Sequence, residues 1–432
     1  MSIEELYNIY LRHGLISTDT RKILPGSLFF ALKGSNFDGN EFAEKALDLG
    51  ASLAVIDEAS YRRDERFLLV PNVLESLQQL ARYHRERLLI PVLGITGTNG
   101  KTTTKELLKS VLSQRFNTYA TVGNLNNHIG VPLTLLSVGK DIEFAIIEMG
   151  ANHKKEIEAL CTIARPSHGL ITNVGKAHLE GFGSFEGVKE AKGELYAFLK
   201  SHGGTTFING NNPHLLEMYG NREEGNVIYY GNVAGSTVEG RIVENDPFLT
   251  VEWTSGKEHH HVKTNLTGSY NLENILAAIA VGLDFGLTAK EINAGIAAYM
   301  PGNNRSQIVK TESNTIICDY YNANPSSMAV ALDNLESISF PGKALILGDM
   351  FELGDDAEQE HRKIIERVAQ MHLKTAVFIG KEFYRERKNK YGRFYETTEE
   401  ALEGLKDTPI VNSVVLVKGS RGMQLERLIR LL

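Results

Sequence analysis

One segment limits what this chain can fold into more than any other: Gly94-Ile95-Thr96-Gly97-Thr98-Asn99-Gly100-Lys101-Thr102-Thr103-Thr104. An apolar run at 91–96 ends in a glycine-rich bend and passes into a helical pattern at 102–112. A buried strand must therefore feed a helix through a loop that lets other groups approach its backbone closely. Gly97 and Gly100 leave room for backbone N–H groups to converge on anionic oxygens, and the helix start adds its positive dipole end. Lys101 is placed to neutralise β/γ-phosphate charge, and the Thr102 hydroxyl to ligate Mg²⁺. Thr98, Asn99 and Thr103 complete the loop. The general phosphate-loop pattern has glycine at position 95; this chain has Ile95 there and glycine at 94. The strand and helix around it still favour a nucleotide site over an ordinary turn.

The rest of the 432 residues extends that strand-to-helix unit into roughly two to four domains. Strands are predicted at 27–32 and 53–56 around a helix at 41–50, and a charged helix end at 82–87 leads to Pro91, a plausible boundary. Strands at 91–96, 143–148, 169–172 and 205–208 then alternate with helices, which implies a doubly wound, mostly parallel sheet. Between 227 and 262 the shorter alternating runs predict an antiparallel excursion, followed by a helix at 271–285. Strands at 315–318, 344–347, 376–379 and 413–417 form a third, Rossmann-like α/β pattern. The expected fold is thus α/β with three domains, at 1–89, 90–301 and 302–432.

Three polar residues of the middle region are costly to bury unless they bind something. Glu148 ends an apolar strand, where ligands of open α/β sheets sit, and His178 follows the next strand. Lys192 falls in phase with Val188, Leu195 and Leu199 on an apolar helix face, so it needs an anionic partner or must snorkel outward. Taken singly, Glu148 and His178 could be a capped strand end and a satisfied loop histidine. Beside a phosphate loop they favour a divalent-metal site, since ATP chemistry needs Mg²⁺ to bridge phosphate oxygens.

Other features have plainer readings. His259-His260-His261 lies beside Lys257 and Glu258 and reads as a solvated strand, Tyr320-Tyr321 as packing, and 385–390 as an exposed helix end. A net charge of −7 excludes a nucleic-acid coat. Cys161 and Cys318, without paired spacing, read as reduced core thiols. No apolar run is long enough for membrane insertion and the segment Met1-Ser2-Ile3-Glu4-Glu5-Leu6 lacks a basic n-region and a long apolar stretch, so a cytoplasmic protein is expected.

Several segments resemble the ATP-dependent Mur ligases of peptidoglycan synthesis, and the likeness spans nearly the whole chain. They are Asp19-Thr20-Arg21 with 25–34, the phosphate loop, 123–132, Glu148-Met149-Gly150-Ala151-Asn152-His153, 177–183 and Ala191-Lys192-Gly193-Glu194. The segments Asp319-Tyr320-Tyr321-Asn322-Ala323-Asn324-Pro325 and 348–354 are similar to the branch that adds a dipeptide. The diaminopimelate-reading Asp-Asn-Pro-Arg motif of a neighbouring branch is absent.

The resemblance implies that Lys101 and Thr102 hold ATP phosphates and one Mg²⁺, that Glu148 and His178 ligate a second, and that Lys192 carries a carbamate derived from CO₂. It further implies nucleotide contacts for Asn274, Arg305 and Asp319, a UDP pocket around Thr20 and Arg21, and substrate contacts for Asn127, Asn322 and Asn324. The implied partners are UDP-N-acetylmuramoyl-tripeptide and D-alanyl-D-alanine, joined through an acyl phosphate by a monomer. Another amide ligase of the superfamily, or a non-catalytic nucleotide-binding homologue, remains the alternative.

Overall fold

The structure is a computed structural model that describes residues 1–177, 179–220, 225–302, 304–388 and 391–432. Its nineteen described strands form four sheets. Strands β1 (Ile16–Ser17), β2 (Leu28–Phe30), β3 (Leu53–Ile56) and β4 (Phe67–Leu69) pair in that order, all parallel. Helices Ile3–His13 and Val73–Arg85 share an apolar cluster with this sheet.

The central sheet contains β5 (Val92–Thr96), β6 (Thr118–Ala120), β7 (Phe144–Glu148), β8 (His168–Ile171), β9 (Thr205–Asn209) and β10 (Asn226–Tyr230). They lie in the order β10-β9-β8-β5-β7-β6, every pair parallel. Successive side chains of a strand point to opposite faces, and both faces are covered. Phe144 and Ile146 pack with the helices Lys101–Leu112 and Asn271–Asp284. Ala145 and Ile147 face Glu156–Ala164 and Phe185–His202. Because β7 and β8 flank β5 on opposite sides, the order reverses at β5, and the crevice beyond its carboxyl end is the natural ligand position. Register brings three sequence-distant points to that edge, since Ile95 lies beside both Glu148 and Leu170, and Thr96 beside Ile171.

An antiparallel sheet follows, β11 (Glu239–Asn245), β12 (Leu249–Ser255) and β13 (Glu258–Lys263). Its buried Trp253 donates Nε1–H to Asn293 at 2.9 Å. The histidine run lies on β13, with His259 and His261 exposed and His260 against the Trp253 ring, as a solvated strand should be.

The last sheet holds β14 (Gln307–Lys310), β15 (Asn314–Asp319), β16 (Lys343–Gly348), β17 (Thr375–Ile379), β18 (Arg393–Tyr395) and β19 (Ser413–Lys418). Its order is β14-β15-β19-β16-β17-β18, parallel except for the antiparallel edge strand β14. Asp319 and Lys418 are register partners at its carboxyl edge.

Two expectations change. Residues 226–230 do not open the antiparallel excursion but form the sixth parallel strand, paired with β9; the strand lies half-exposed at the sheet edge, without the unbroken burial that marks the central parallel strands. The helix expected at 41–50 is divided into a 3₁₀ turn, Gly39–Phe42, and a helix, Ala43–Asp48. Asp38 explains the turn, because its side chain accepts from Asn40 N and caps it. Both cysteines are buried and free.

Candidate active site

At the carboxyl edge of β5 the loop's conformation depends on glycine. Gly97 has φ 142° and Gly100 φ 79°, values an L side chain rarely adopts. A Cβ on Gly97 would also run into Thr172 Oγ1. The loop after β8 clamps this bend: Asn99 N donates to Asn173 Oδ1 at 2.9 Å and Thr172 Oγ1 donates to Asn99 O at 2.6 Å. We expect Gly97→Ala to weaken ADP binding roughly 10- to 100-fold, from about 1–3 kcal/mol of backbone strain. Calorimetry on the variant, with its melting temperature as a control for folding, checks this.

Lys101 curls over the loop and donates to Gly97 O (2.6 Å) and Thr98 O (3.0 Å). Burial pushes its pKa down to about 8, with Arg305 adding to the fall and Glu148 opposing it. An ammonium whose hydrogen bonds go to carbonyl oxygens in this way gains from an incoming polyanion.

Beside it, Thr102 Oγ1 donates to Glu148 Oε2 at 2.9 Å, and both residues are buried. Asn126 Nδ2 donates to the other carboxylate oxygen at 2.9 Å, and Lys105 Nζ lies 3.9 Å from Oε2 while donating to Thr121 O at 2.5 Å. Glu148 is thus an oriented carboxylate next to a hydroxyl, the hard-oxygen donor set Mg²⁺ prefers. His178 lies outside the described residues.

Lys192 is where the helical phase places it. Val188, Leu195 and Leu199 on the same face are buried, and Lys192 itself is 3% exposed, so it does not snorkel. Its Nζ donates to Ala151 O at 3.3 Å and lies 5.3 Å from the Phe182 ring centroid. Burial, then the Lys101 charge, push its pKa down to about 7, against the pull of Glu156 and Glu194. At neutral pH much of this amine is uncharged and nucleophilic.

The last sheet supplies the opposite wall. Asp319 accepts from Lys418 Nζ at 2.6 Å and from Ser306 N at 3.2 Å. The Arg305 guanidinium sits 3.9 Å from the Tyr321 ring centroid, and its Nε is buried without a hydrogen-bond partner. Asn324 caps the helix Pro325–Ser337. Asn274 accepts from Thr104 Oγ1 at 3.0 Å and donates to Asn271 at 2.8 Å, which fixes it behind Gly100.

One cavity of about 1130 Å³ is lined by residues 97–103, Asn127, Glu148, Lys192, Asn274, Arg305, Asp319, Asn322 and Asn324. Thr20 and Arg21 do not line it. They form a 3₁₀ turn before β2, where Arg21 is paired with Asp19. Among the polar groups the sequence reading missed here are Lys105, Asn126, Ser326 and Lys418, each lining the cavity or touching Glu148. Lys105 is in phase with buried Leu108 and Leu112, and Lys418 ends an apolar strand. These are the signals that marked Lys192 and Glu148. Tyr321, read as packing, lines the cavity, whereas Tyr320 is buried in the apolar cluster.

Comparison with known proteins covers the same span. Residues 95–282 match the Mur ligase middle domain, 304–421 the Mur ligase glutamate ligase domain, and 13–85 the Mur ligase catalytic domain. The UDP-N-acetylmuramoyl-tripeptide--D-alanyl-D-alanine ligase of Bacillus subtilis is 35% identical, over 97% of this chain and 92% of its own length. The crystal structure of MurF from Acinetobacter baumannii superposes with a TM-score of 0.87 at 30% identity, covering 96% of this chain and 92% of that one. MurF from Thermotoga maritima in complex with ADP gives 0.85 at 27%, covering 96% of each. With matches along its full length and a phosphate loop facing the last sheet across one cavity, the chain belongs to the Mur ligase family.

Proposed function

We propose that this protein is an ADP-forming amide ligase that adds D-alanyl-D-alanine to UDP-N-acetylmuramoyl-tripeptide. The observation that carries the reading is the full-length likeness to ligases of that name, one of them crystallised with ADP. The cavity supports it, because it unites a phosphate loop with the segment 319–325.

A carboxylate is a poor acylating agent, so the tripeptide's terminal carboxylate first attacks the γ-phosphorus of ATP, giving an acyl phosphate and ADP. The amine of the dipeptide then attacks the acyl carbon, phosphate leaves and the amine loses a proton. In the first step charge gathers on the transferring phosphoryl group, where the Lys101 ammonium and the loop N–H groups stabilise it. The oxygen donors of Thr102 and Glu148 fit Mg²⁺ in chemistry: Thr102 would hold one ion beside the phosphates, and Glu148, with His178 proposed beside it, a second. Bound there, the ions would supply charge neutralisation at the phosphate oxygens.

Lys192 fits a carbamate. Its neutral amine attacks CO₂, an N–C bond forms and a proton is released, which replaces a poorly solvated cation with an anionic oxygen donor. Asn274, Arg305 and Asp319 are proposed for the nucleoside, Asn127, Asn322 and Asn324 for the peptide substrates, and Thr20 and Arg21 for UDP. On this reading 1–89 carries the UDP-sugar, 90–301 the nucleotide and 302–432 the acceptor.

The test supplies ATP, Mg²⁺ and UDP-N-acetylmuramoyl-tripeptide and follows phosphate release with and without D-alanyl-D-alanine. Stimulation by the dipeptide, with the pentapeptide product seen by mass spectrometry, is expected. Release indifferent to the dipeptide would overturn the assignment and favour another acceptor.

A further inference from the structure

Asn99, at the tip of the phosphate loop, sends its side chain away from the loop towards the helix Pro325–Ser337. Its Oδ1 accepts from Asn324 Nδ2 at 2.9 Å, and its Nδ2 donates to Ser326 Oγ at 2.9 Å. Ser326 Oγ in turn donates to Asn324 Oδ1, again at 2.9 Å. The three side chains close a ring of hydrogen bonds that joins the central unit to the last one. The ring is anchored firmly on both sides. Asn99's backbone is held by Thr172 and Asn173, and Asn324 Oδ1 also accepts from Ser327 N as the helix cap. Gly175 packs so closely on Ser326 that a Cβ would lie 3.0 Å from its Oγ.

We propose that this ring is a latch, with Asn99 and Ser326 as positioning residues that tie the nucleotide loop to the acceptor-side wall. It rests on the ligase reading above. The ring can close only when the last unit is docked on the loop, and a loop set by nucleotide phosphates presents Asn99 in the orientation the ring requires. The segment 319–325, which leads into the latched helix, is then held over the reacting carboxylate. Nucleotide binding therefore raises affinity for the incoming amine by removing part of the cost of ordering the two units. An aliphatic residue at 326 leaves the nucleotide's own contacts intact and removes the coupling.

The test uses the full chain with Ser326→Ala, Asn99→Ala and the double variant. For Ser326→Ala, ADP affinity is expected within about twofold of the wild type and KM for the dipeptide about tenfold higher. Small-angle scattering should show a larger radius of gyration with ADP bound. Because both substitutions break one ring, the double variant should be no more expanded, and no weaker for the dipeptide, than Asn99→Ala alone. Unchanged dipeptide KM and unchanged scattering for Ser326→Ala would overturn the latch, as would effects of the two substitutions that simply add. If the wild type joins no dipeptide, the ligase reading fails by itself. Scattering with and without ADP then decides the latch: expansion of Ser326→Ala supports it, and no expansion refutes it.

Discussion

Replacing Lys101 with Met should lower kcat/KM for ATP-dependent phosphate release roughly 100- to 1000-fold, the usual cost of removing a donor aimed at developing transition-state charge. Met keeps the length of the stem and removes the ammonium, which otherwise lies against Gly97 O and Thr98 O. If the lost contact is the proposed one to β/γ-phosphate oxygens, affinity for ADP should fall while affinity for adenosine stays within a few-fold. Stability should move the other way. Burial holds the Lys101 pKa down near 8, below the ordinary lysine value of about 10.4, so the folded state pays for keeping this group charged. That penalty is complete below pH 8 and is relieved as pH rises towards the unfolded value. At neutral pH the Met variant should therefore melt no lower than the wild type. A variant that lost activity and also melted well below the wild type would mean that Lys101 supports the fold rather than the phosphates. Equal loss of ADP and adenosine binding would sink the phosphate role.

The order of these costs explains what was legible in the sequence. Gly97, Gly100, Lys101 and Thr102, which line the cavity, were readable as candidates because the phosphate binding proposed for them needs those residue types at fixed spacing on one continuous segment. Glu148 and Lys192 were readable because a charge on an apolar strand end or apolar helix face violates the local pattern. The fold class followed from strands and helices long enough to show their periods. Strands β1, β4, β6, β14 and β18, each of two to four residues, carry too few alternations to declare themselves. β10 was assigned to the wrong sheet because pairing partners are chosen by tertiary packing, not by local pattern. Ser326 and Asn126 carry no local signal of their own, although Asn126 lies within the resembling segment 123–132: Ser and Asn are ordinary loop and cap residues. What singles them out is a partner 227 positions away in the first case and 22 in the second. Lys105 and Lys418 were within reach of the same rule that exposed Lys192, and each proves to be a buried ammonium beside a carboxylate.

If Lys192 serves the metal site as proposed, Lys192→Ala should lower kcat by roughly 100-fold or more, the loss of such a group being at least as costly as the loss of its supporting partners. Added acetate or formate should restore part of it. The argument starts from burial. A lysine 3% exposed, with one 3.3 Å hydrogen bond to a carbonyl and its pKa brought down to about 7 mainly by desolvation, is a poor structural cation and a good nucleophile. If its role is to present a carbamate, Ala removes the anion and opens a space the length of the side chain, into which a small carboxylate can bring an equivalent pair of oxygens. A positively charged role predicts the reverse: carboxylates would not rescue, and short alkylamines would. A wild-type sample equilibrated with ¹³C-labelled bicarbonate should show a carbamate carbon signal that Lys192→Ala lacks. This readout is independent of turnover. Full activity in the unrescued variant would refute a role at the metal site, and rescue by amines in place of carboxylates would refute the carbamate while leaving Lys192 in the site. The distinction matters for the latch as well, because Lys192 bonds to Ala151 O whereas Ser326 bonds to Asn99 and Asn324. Loss of Lys192, on the carbamate reading, should depress kcat at every dipeptide concentration, whereas an opened latch is overcome by more dipeptide.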